Sequence, residues 1–353
     1  MPHLVVAGAG MAGLAAAATA RELGASVLLL EKLDRPGGSM LLSSGVVWRH
    51  ADLEGFRADA PAGDPALQRL VFERLDDDIA WAESVGARVV ERATGNPRTV
   101  GVRFDTASLA DALLRAAGGA VLGHPVVELP DGVPVVLATG GFAASRELVR
   151  RHITPEADSL VLRAAPGSTG DGIRLGVAAG ASASEGLGEF YGRNMPAPPA
   201  VVAERDFVPL AQLYAHHATV LNAAGERYEA RTWSETDVVQ WTARQPGARA
   251  WYQVADDALD RPVRDRTVGD MVAAAERAGA PVRRDGGTTI VETVAGITTT
   301  LGGLRVDARA QAAPRVYAAG HDAGGVSTGG YSSGLAAALV LGRLAARSAL
   351  EEA

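Results

Sequence analysis

In the stretch GGVSTGGYSSGLAAALVLGR, residues 324–343, one phenol, Tyr331, stands among glycines and hydroxyls just ahead of an alanine-rich run. A tyrosine hydroxyl can donate a hydrogen bond to a carbonyl oxygen, and a serine two residues on, Ser333, can orient it or help move a proton. Bare glycines on either side let backbone approach a flat or anionic ligand closely. Near the other terminus, VVAGAGMAGLAAAATARELGASVLLLEK carries Gly8, Gly10 and Gly13, and Glu31 follows 23 residues after Gly8. This spacing suits a dinucleotide. Gly8 makes a tight turn, and Gly10 lets a pyrophosphate reach the helix N-terminus that Met11 and Ala12 begin. Gly13 allows helix and strand to pack, and Glu31, followed by Lys32, meets the adenosine ribose.

Those residues need a strand, a helix and a second strand to hold them. The order of apolar residues supplies all three, with the helix running to about Leu23. Further on, apolar residues at helical spacing run from Leu67 to Val85 and stop at Gly86. TASLADALLRAAGG reads as another amphipathic helix with Thr106 or Ser108 as cap. VPVVLATGG is a buried strand entering glycines, and GSTGDGIRLGVAAGA is a tight turn leading through Asp171 into a small-residue helix. Ser332 and Ser333 precede a helix that begins at Gly334. Residues 205–285 are more charged, with short elements, and read as an inserted lobe between the segments at 1–204 and 286–353.

Composition narrows the classes. The chain has 353 residues, 47% of them hydrophobic, and a net charge of −7, which disfavours nucleic acid as a partner. Cysteine is absent, excluding disulfides, thiolate metal sites and cysteine nucleophiles, and no metal site is expected. The chain opens directly on a strand and has no apolar stretch of membrane-spanning length. The expectation is a cytoplasmic enzyme without a membrane span.

The blocks GAGMAGLAAAATARELGASVLLLEK, RPGGSMLLSSG, LATGGF, GSTGDGIRLGVAAGA, TTTLGGLRVD and VYAAGHDAGGVSTGGYSSGLAAALVLGR occur in this order. In that order they resemble the FAD-dependent fumarate reductase, succinate dehydrogenase and 3-ketosteroid dehydrogenase superfamily. The resemblance implies an α/β fold with a discontinuous Rossmann-like FAD-binding domain, a small inserted α+β capping domain, and FAD rather than NAD as cofactor. Gly38, Ser39 and Gly45 would then wrap the pyrophosphate and ribityl side, and Thr139 and Gly140 would pass the adenine end. Asp171 matches an acid of the family pattern, or caps its helix. Gly320 and His321 stand where reductases have Gly and Glu. Gly334 and Leu335 begin a helix that, in this superfamily, points at the flavin pyrimidine, where its partial positive charge stabilises the negative charge collected on reduction.

Departures from the reductases separate the branches. Fumarate reductases have arginine where Tyr331 stands, histidine near Thr299, and an acid and arginine where Arg231 and Ser234 lie. Without those cations a dicarboxylate is poorly compensated, and a neutral substrate is expected. GGYSSG resembles the ketosteroid dehydrogenase branch, closest to the Δ4-(5α) type. That resemblance gives Tyr331 the substrate carbonyl and Ser333 a supporting role, and acidifies the α-carbon of a ketone. A proton-accepting tyrosine from the cap is implied as well, with Tyr191, Tyr214, Tyr228 and Tyr252 as candidates and His216 or His217 as substitutes. The implied activity is dehydrogenation, or the reverse reduction, of a carbon–carbon bond beside a carbonyl, with an unidentified electron acceptor or donor. A flavin oxidase of natural-product chemistry, a fumarate-reductase-like enzyme and an electron-transfer subunit remain alternatives.

Overall fold

Four apolar residues in a row, Leu4–Ala7 (β1), have no polar face to turn to water and are all buried. The computed structural model describes residues 2–232 and 234–352. β1 leads into α1 (Met11–Glu22), whose alanines favour helix and are small enough to lie close against a neighbour. Val27–Leu30 (β2) then returns parallel to β1, with Leu4 opposite Val27. Along the chain follow β3 (Val46–His50), α2 (Leu53–Asp59), α3 (Pro65–Ser84), β4 (Val89–Glu91), β5 (Thr99–Phe104), α4 (Thr106–Ala117) and β6 (Val135–Leu137). β6 pairs parallel with β1 on its other edge, and strand Val316–Ala318 pairs parallel with β6. Strand Gln311–Ala313 closes the five-stranded sheet in antiparallel sense. β1 and β6, buried inside the sheet, read as the unbroken apolar runs such strands need, while Leu28 of the edge strand β2 reaches the surface.

The helix boundaries follow local chemistry. α3 is capped by Asp64, whose side chain accepts from Ala66 and Leu67, with Pro65 at its first position. α4 is capped by Asp105 rather than by Thr106 or Ser108. The Ser108 hydroxyl instead accepts from the Arg88 N–H at 3.0 Å. The C-terminal helix, Gly334–Glu351, starts where the two serines place it, with Ser333 as its cap. A separate antiparallel sheet of β3, β5 and β4 carries Trp48 and His50.

The chain forms two compact units. The first, built from Met1–Ser145, Ala165–Glu189 and Thr299–Ala353, holds the parallel sheet and is a discontinuous Rossmann-like α/β domain. The second, Arg146–Ala164 with Phe190–Thr298, is wider than the lobe expected at 205–285. Hydrogen-bond ladders explain the difference. The long strand Thr288–Thr300 pairs with Arg249–Ala255, with Val282–Asp285 and with Val161–Leu162, which draws the flanking segments into the insert's own sheet. Its core gathers Tyr214, Val238, Tyr252, Met271 and Val291. Among the described residues no helix is long and apolar enough to cross a membrane.

Candidate cofactor and active site

β1 ends at Gly8 with φ +102°, where a Cβ would fall 2.3 Å from the Ala138 carbonyl oxygen, so only glycine makes this turn. A Cβ on Gly13 would fall 1.7 Å from the Gly8 carbonyl oxygen, which seats α1 against its own entry turn. A Cβ on Gly10, between them, meets nothing within 4 Å. α1 begins at this open point with no side-chain cap and no acid in its first turn, so its leading amides can serve an anion. Gly38 lies across the same opening, its Cβ position 3.3 Å from the Gly10 Cα. The Ser39 hydroxyl, however, is engaged by the Ala165 N–H at 2.9 Å. Met11 and Ala12 are buried in the first turn of the helix. Two bare backbone turns around an uncapped helix start fit the pyrophosphate of FAD.

Glu31 is buried at the end of β2, its Oε2 accepting from the Ala9 N–H at 2.7 Å and its Oε1 from the Leu33 N–H at 2.9 Å. Each oxygen keeps a second lone pair that can accept from a ligand hydroxyl. Lys32 pairs with Asp171 at 2.7 Å and donates to Thr169 Oγ1 at 2.6 Å. Asp171 is therefore an ion-pair partner rather than a cap, since Gly170 holds the cap position of helix Asp171–Ala178.

Asp322 stands in the block VYAAGHDAGG without a role assigned to it, yet it ties Thr139 and Gly141 to its own loop. It is fully buried and accepts from the Thr139 amide, from Thr139 Oγ1 at 3.1 Å and from the Gly141 N–H at 3.0 Å. Burial pushes its carboxyl up, against those donors. Thr139 Oγ1 also accepts from the Gly172 N–H at 2.9 Å, so its hydroxyl serves this joint. Gly140 is left-handed at φ +95°, its Cβ position 3.0 Å from Ser168 Oγ. The close pass expected at Gly45 is made to the protein itself, where a Cβ would fall 2.2 Å from the Phe104 carbonyl oxygen. Gly320 likewise faces protein, where a Cβ would fall 3.1 Å from the Ala12 Cβ and 3.8 Å from the Ala338 Cβ.

His321 is half-buried, and a Cβ on Gly334 would lie 2.8 Å from its Nε2. Burial pulls its pKa from 6.5 to about 4, and the positive end of the C-terminal helix disfavours an imidazolium in the same direction. Folding thus favours the neutral ring, so stability is present above pH 6.5 and is lost as pH falls toward about 4. Denaturant titrations over that window should show this loss, and His321→Gln should flatten it.

Ser333 is buried and its Oγ accepts from the Ala336 N–H at 3.2 Å, which makes it the helix cap while its O–H remains a donor. Ser332 bonds Ser327 at 2.6 Å. Gly334, Leu335 and Tyr331 are half-buried at the helix start. The Tyr331 ring meets Trp48 edge-on, with centroids 5.9 Å apart. Trp48 belongs to β3, outside every motif read from the sequence, and periodicity gives no hint of it.

In the second unit three of the four candidate tyrosines are core residues. Tyr214 donates to Gln212 at 2.9 Å, Tyr252 accepts from Asn194 at 2.9 Å, and Tyr228 donates to Asp237. Burial pushes all three phenols up, which suits them poorly to accept protons. Tyr191 is half-buried, with the Arg193 guanidinium 4.9 Å from its ring centre. Glu235 was not anticipated. It is buried, accepts from the Ala215 N–H at 2.9 Å, and burial raises its pKa to about 7. Arg231 is exposed, and Thr299 is buried within the first unit.

Residues 81–335 match the family described as FAD binding domain, and residues 6–62 match an NAD(P)-binding Rossmann-like domain. Fumarate reductase (cytochrome) of Shewanella frigidimarina is 23% identical over 452 residues, spanning 99% of this chain and 77% of that protein. Vinyl phenol reductase of Lactiplantibacillus plantarum is 26% identical over 250 residues, 55% of this chain and 49% of the relative. In fold the chain is similar to 3-ketosteroid-Δ4-(5α)-dehydrogenase from Rhodococcus jostii RHA1, solved with 4-androstene-3,17-dione. The TM-score is 0.74 at 20% identity, covering 99% of this chain and 96% of that one.

Proposed function

The chain belongs to the FAD binding domain family, and we propose that it oxidises or reduces a carbon–carbon bond beside a carbonyl in a neutral, cyclic or steroid-like molecule. One observation carries this reading: Tyr331 stands half-buried against Trp48 at the start of the C-terminal helix, in a loop, 324–334, with no charged residue. Gly10 and Gly38, on turns shaped by Gly8 and Gly13, would hold the pyrophosphate of FAD, and Glu31 would hold its ribose. Bound FAD supplies the two-electron chemistry.

The chain's own residues manage the carbonyl and the proton. The Tyr331 hydroxyl donates to the carbonyl oxygen, which draws electron density from the neighbouring carbon and acidifies its C–H. Ser333, whose oxygen is occupied by Ala336, uses its O–H to orient the phenol. The Trp48 and Tyr331 rings offer apolar surface to a flat ligand and exclude water from the polarised carbonyl. A dicarboxylate in such surroundings would lose hydration without gaining a cationic partner from the loop.

The test is anaerobic. The reduced protein is mixed with 4-androstene-3,17-dione or with fumarate, and the return of its yellow colour is timed. The dione is expected to restore colour at least about a hundredfold faster, equivalent to a barrier difference of roughly 2.7 kcal/mol. Faster oxidation by fumarate would mean that a carboxylate clamp exists elsewhere in the chain.

A further inference from the structure

Trp48 and His50 are two residues apart on β3 and so share one face of that strand. From them an unbroken aromatic series reaches Tyr331. The His50 ring stacks on Phe56 with centroids 4.7 Å apart, and meets Trp48 at 5.3 Å. Trp48 in turn meets Tyr331 at 5.9 Å and 63°. His50 is 2% exposed, and its Nε2 lies 3.1 Å from Asp59 Oδ2. Asp59 is the last residue of α2, and its main chain also supports the loop: a Cβ on Gly330 would fall 1.6 Å from the Asp59 carbonyl oxygen. One residue therefore backs the glycine immediately before Tyr331 and grips the imidazole beside Trp48.

Packing alone does not call for histidine at position 50, where a phenylalanine would stack on Phe56 and Trp48 as well. The imidazole is harder to bury, and its Nδ1 finds no hydrogen-bond partner among the described residues. Burial lowers the pKa of His50, while Asp59 and, more weakly, Asp52 oppose that shift. A carboxylate only accepts, so the ring turns an Nε2 proton toward Asp59. What histidine adds over phenylalanine is a directed bond that stops the ring from rotating or sliding.

We infer that His50, held by Asp59, is a positioning residue for Tyr331: it fixes the Trp48 indole, and the indole fixes the angle at which the phenol stands. The rate arm of its test rests on the reading of Tyr331 as the carbonyl donor; the spectroscopic arm does not. His50→Phe keeps the ring and removes only the bond to Asp59. In the FAD-loaded protein, the ultraviolet signal of Tyr331 ionisation is isolated as the difference from Tyr331→Phe. Its midpoint should move by more than about half a pH unit in the His50→Phe background.

In turnover of 4-androstene-3,17-dione, His50→Phe should lower kcat roughly tenfold with KM little changed, and should cost nothing further once Tyr331 is Phe. An unmoved midpoint overturns the inference, and so does an equal loss of kcat in both backgrounds, since both describe a residue that merely supports the fold. If the dione is not turned over at all, the substrate reading fails while the ionisation midpoint still decides the role of His50.

Discussion

Tyr331→Phe should leave the protein folded and yellow, yet slow carbon–carbon oxidation or reduction by about 10²–10³. The ring that packs edge-on against Trp48 is kept, and so is the glycine backbone on either side. Only the hydroxyl is lost. Deleting one donor aimed at a developing oxyanion costs roughly 2.7–4 kcal/mol of barrier, which is the stated loss in rate. Because the interaction strengthens as charge develops on oxygen, the loss belongs in kcat more than in KM. Single-turnover reduction of the protein by a neutral ketone measures this directly. If the variant instead loses FAD while its remaining holoenzyme turns over normally, the phenol belongs to the cofactor loop and has no part in the chemistry.

The division of labour in that loop follows from how its residues are held. Ser333 is committed to the Ala336 amide and Ser332 to Ser327, so the two hydroxyls that follow the tyrosine are anchored within the loop and helix start. Backbone bonds continue the anchoring: the Asp64 N–H donates to Gly325 O at 2.7 Å and the Ala62 N–H to Thr328 O at 3.2 Å. A loop built of glycine would otherwise lose its shape to conformational entropy. Its order comes from the α2–α3 connection beneath it.

This support explains what could be read in the sequence and what could not. The dinucleotide turn was legible because its demands are local: Gly8 needs a left-handed φ, Gly13 needs room against Gly8, and Glu31 must end the next strand. The C-terminal helix was legible for the same reason, since two serines before an alanine run make a cap. Asp322 was not, because its partners Thr139 and Gly141 lie 183 and 181 residues away in the chain. Trp48, His50 and Asp59 were missed because neighbours on a strand and at a helix end acquire meaning only when a distant loop lands on them. The second unit spans more than the lobe expected at 205–285 because strand Thr288–Thr300 pairs with the distant Val161–Leu162, a pairing no local pattern announces. Its tyrosines could not be ranked from sequence, since their hydroxyl partners Gln212, Asn194 and Asp237 define them as core residues.

Arg343→Met should produce the largest loss of stability, and it should reach the cofactor. Arg343 is 6% exposed in the C-terminal helix, and its guanidinium is shared by two other helices. It pairs with Asp78 of α3, donates to Thr19 Oγ1 of α1 at 3.2 Å and lies 4.0 Å from the ring centre of Trp81. One residue earlier, a Cβ on Gly342 would come 2.4 Å from the Ala12 carbonyl oxygen, so the two helices touch backbone to backbone there. The first of these helices starts at the proposed pyrophosphate cradle and the second at Gly334, three residues after Tyr331. Their packing sets the spacing of both ends of the site.

Removing the guanidinium strands a buried carboxylate, which costs roughly 3–5 kcal/mol. Burial already raises the pKa of Asp78, with Arg343 opposing, and without the arginine the rise is larger. A carboxyl whose folded pKa lies above its unfolded value is tolerated below the unfolded pKa and becomes costly as pH rises through the folded one. The deficit should therefore be greatest at neutral pH and shrink toward pH 4. Replacing both partners, Arg343→Met with Asp78→Leu, should recover most of the stability, because the desolvation cost of the pair disappears with it. Denaturant midpoints and FAD occupancy of the three variants, measured at neutral and acid pH, test this. A single variant as stable at pH 7 as the parent would show that the Asp78 carboxylate reaches water, and that the helices are held together by alanine and glycine packing alone.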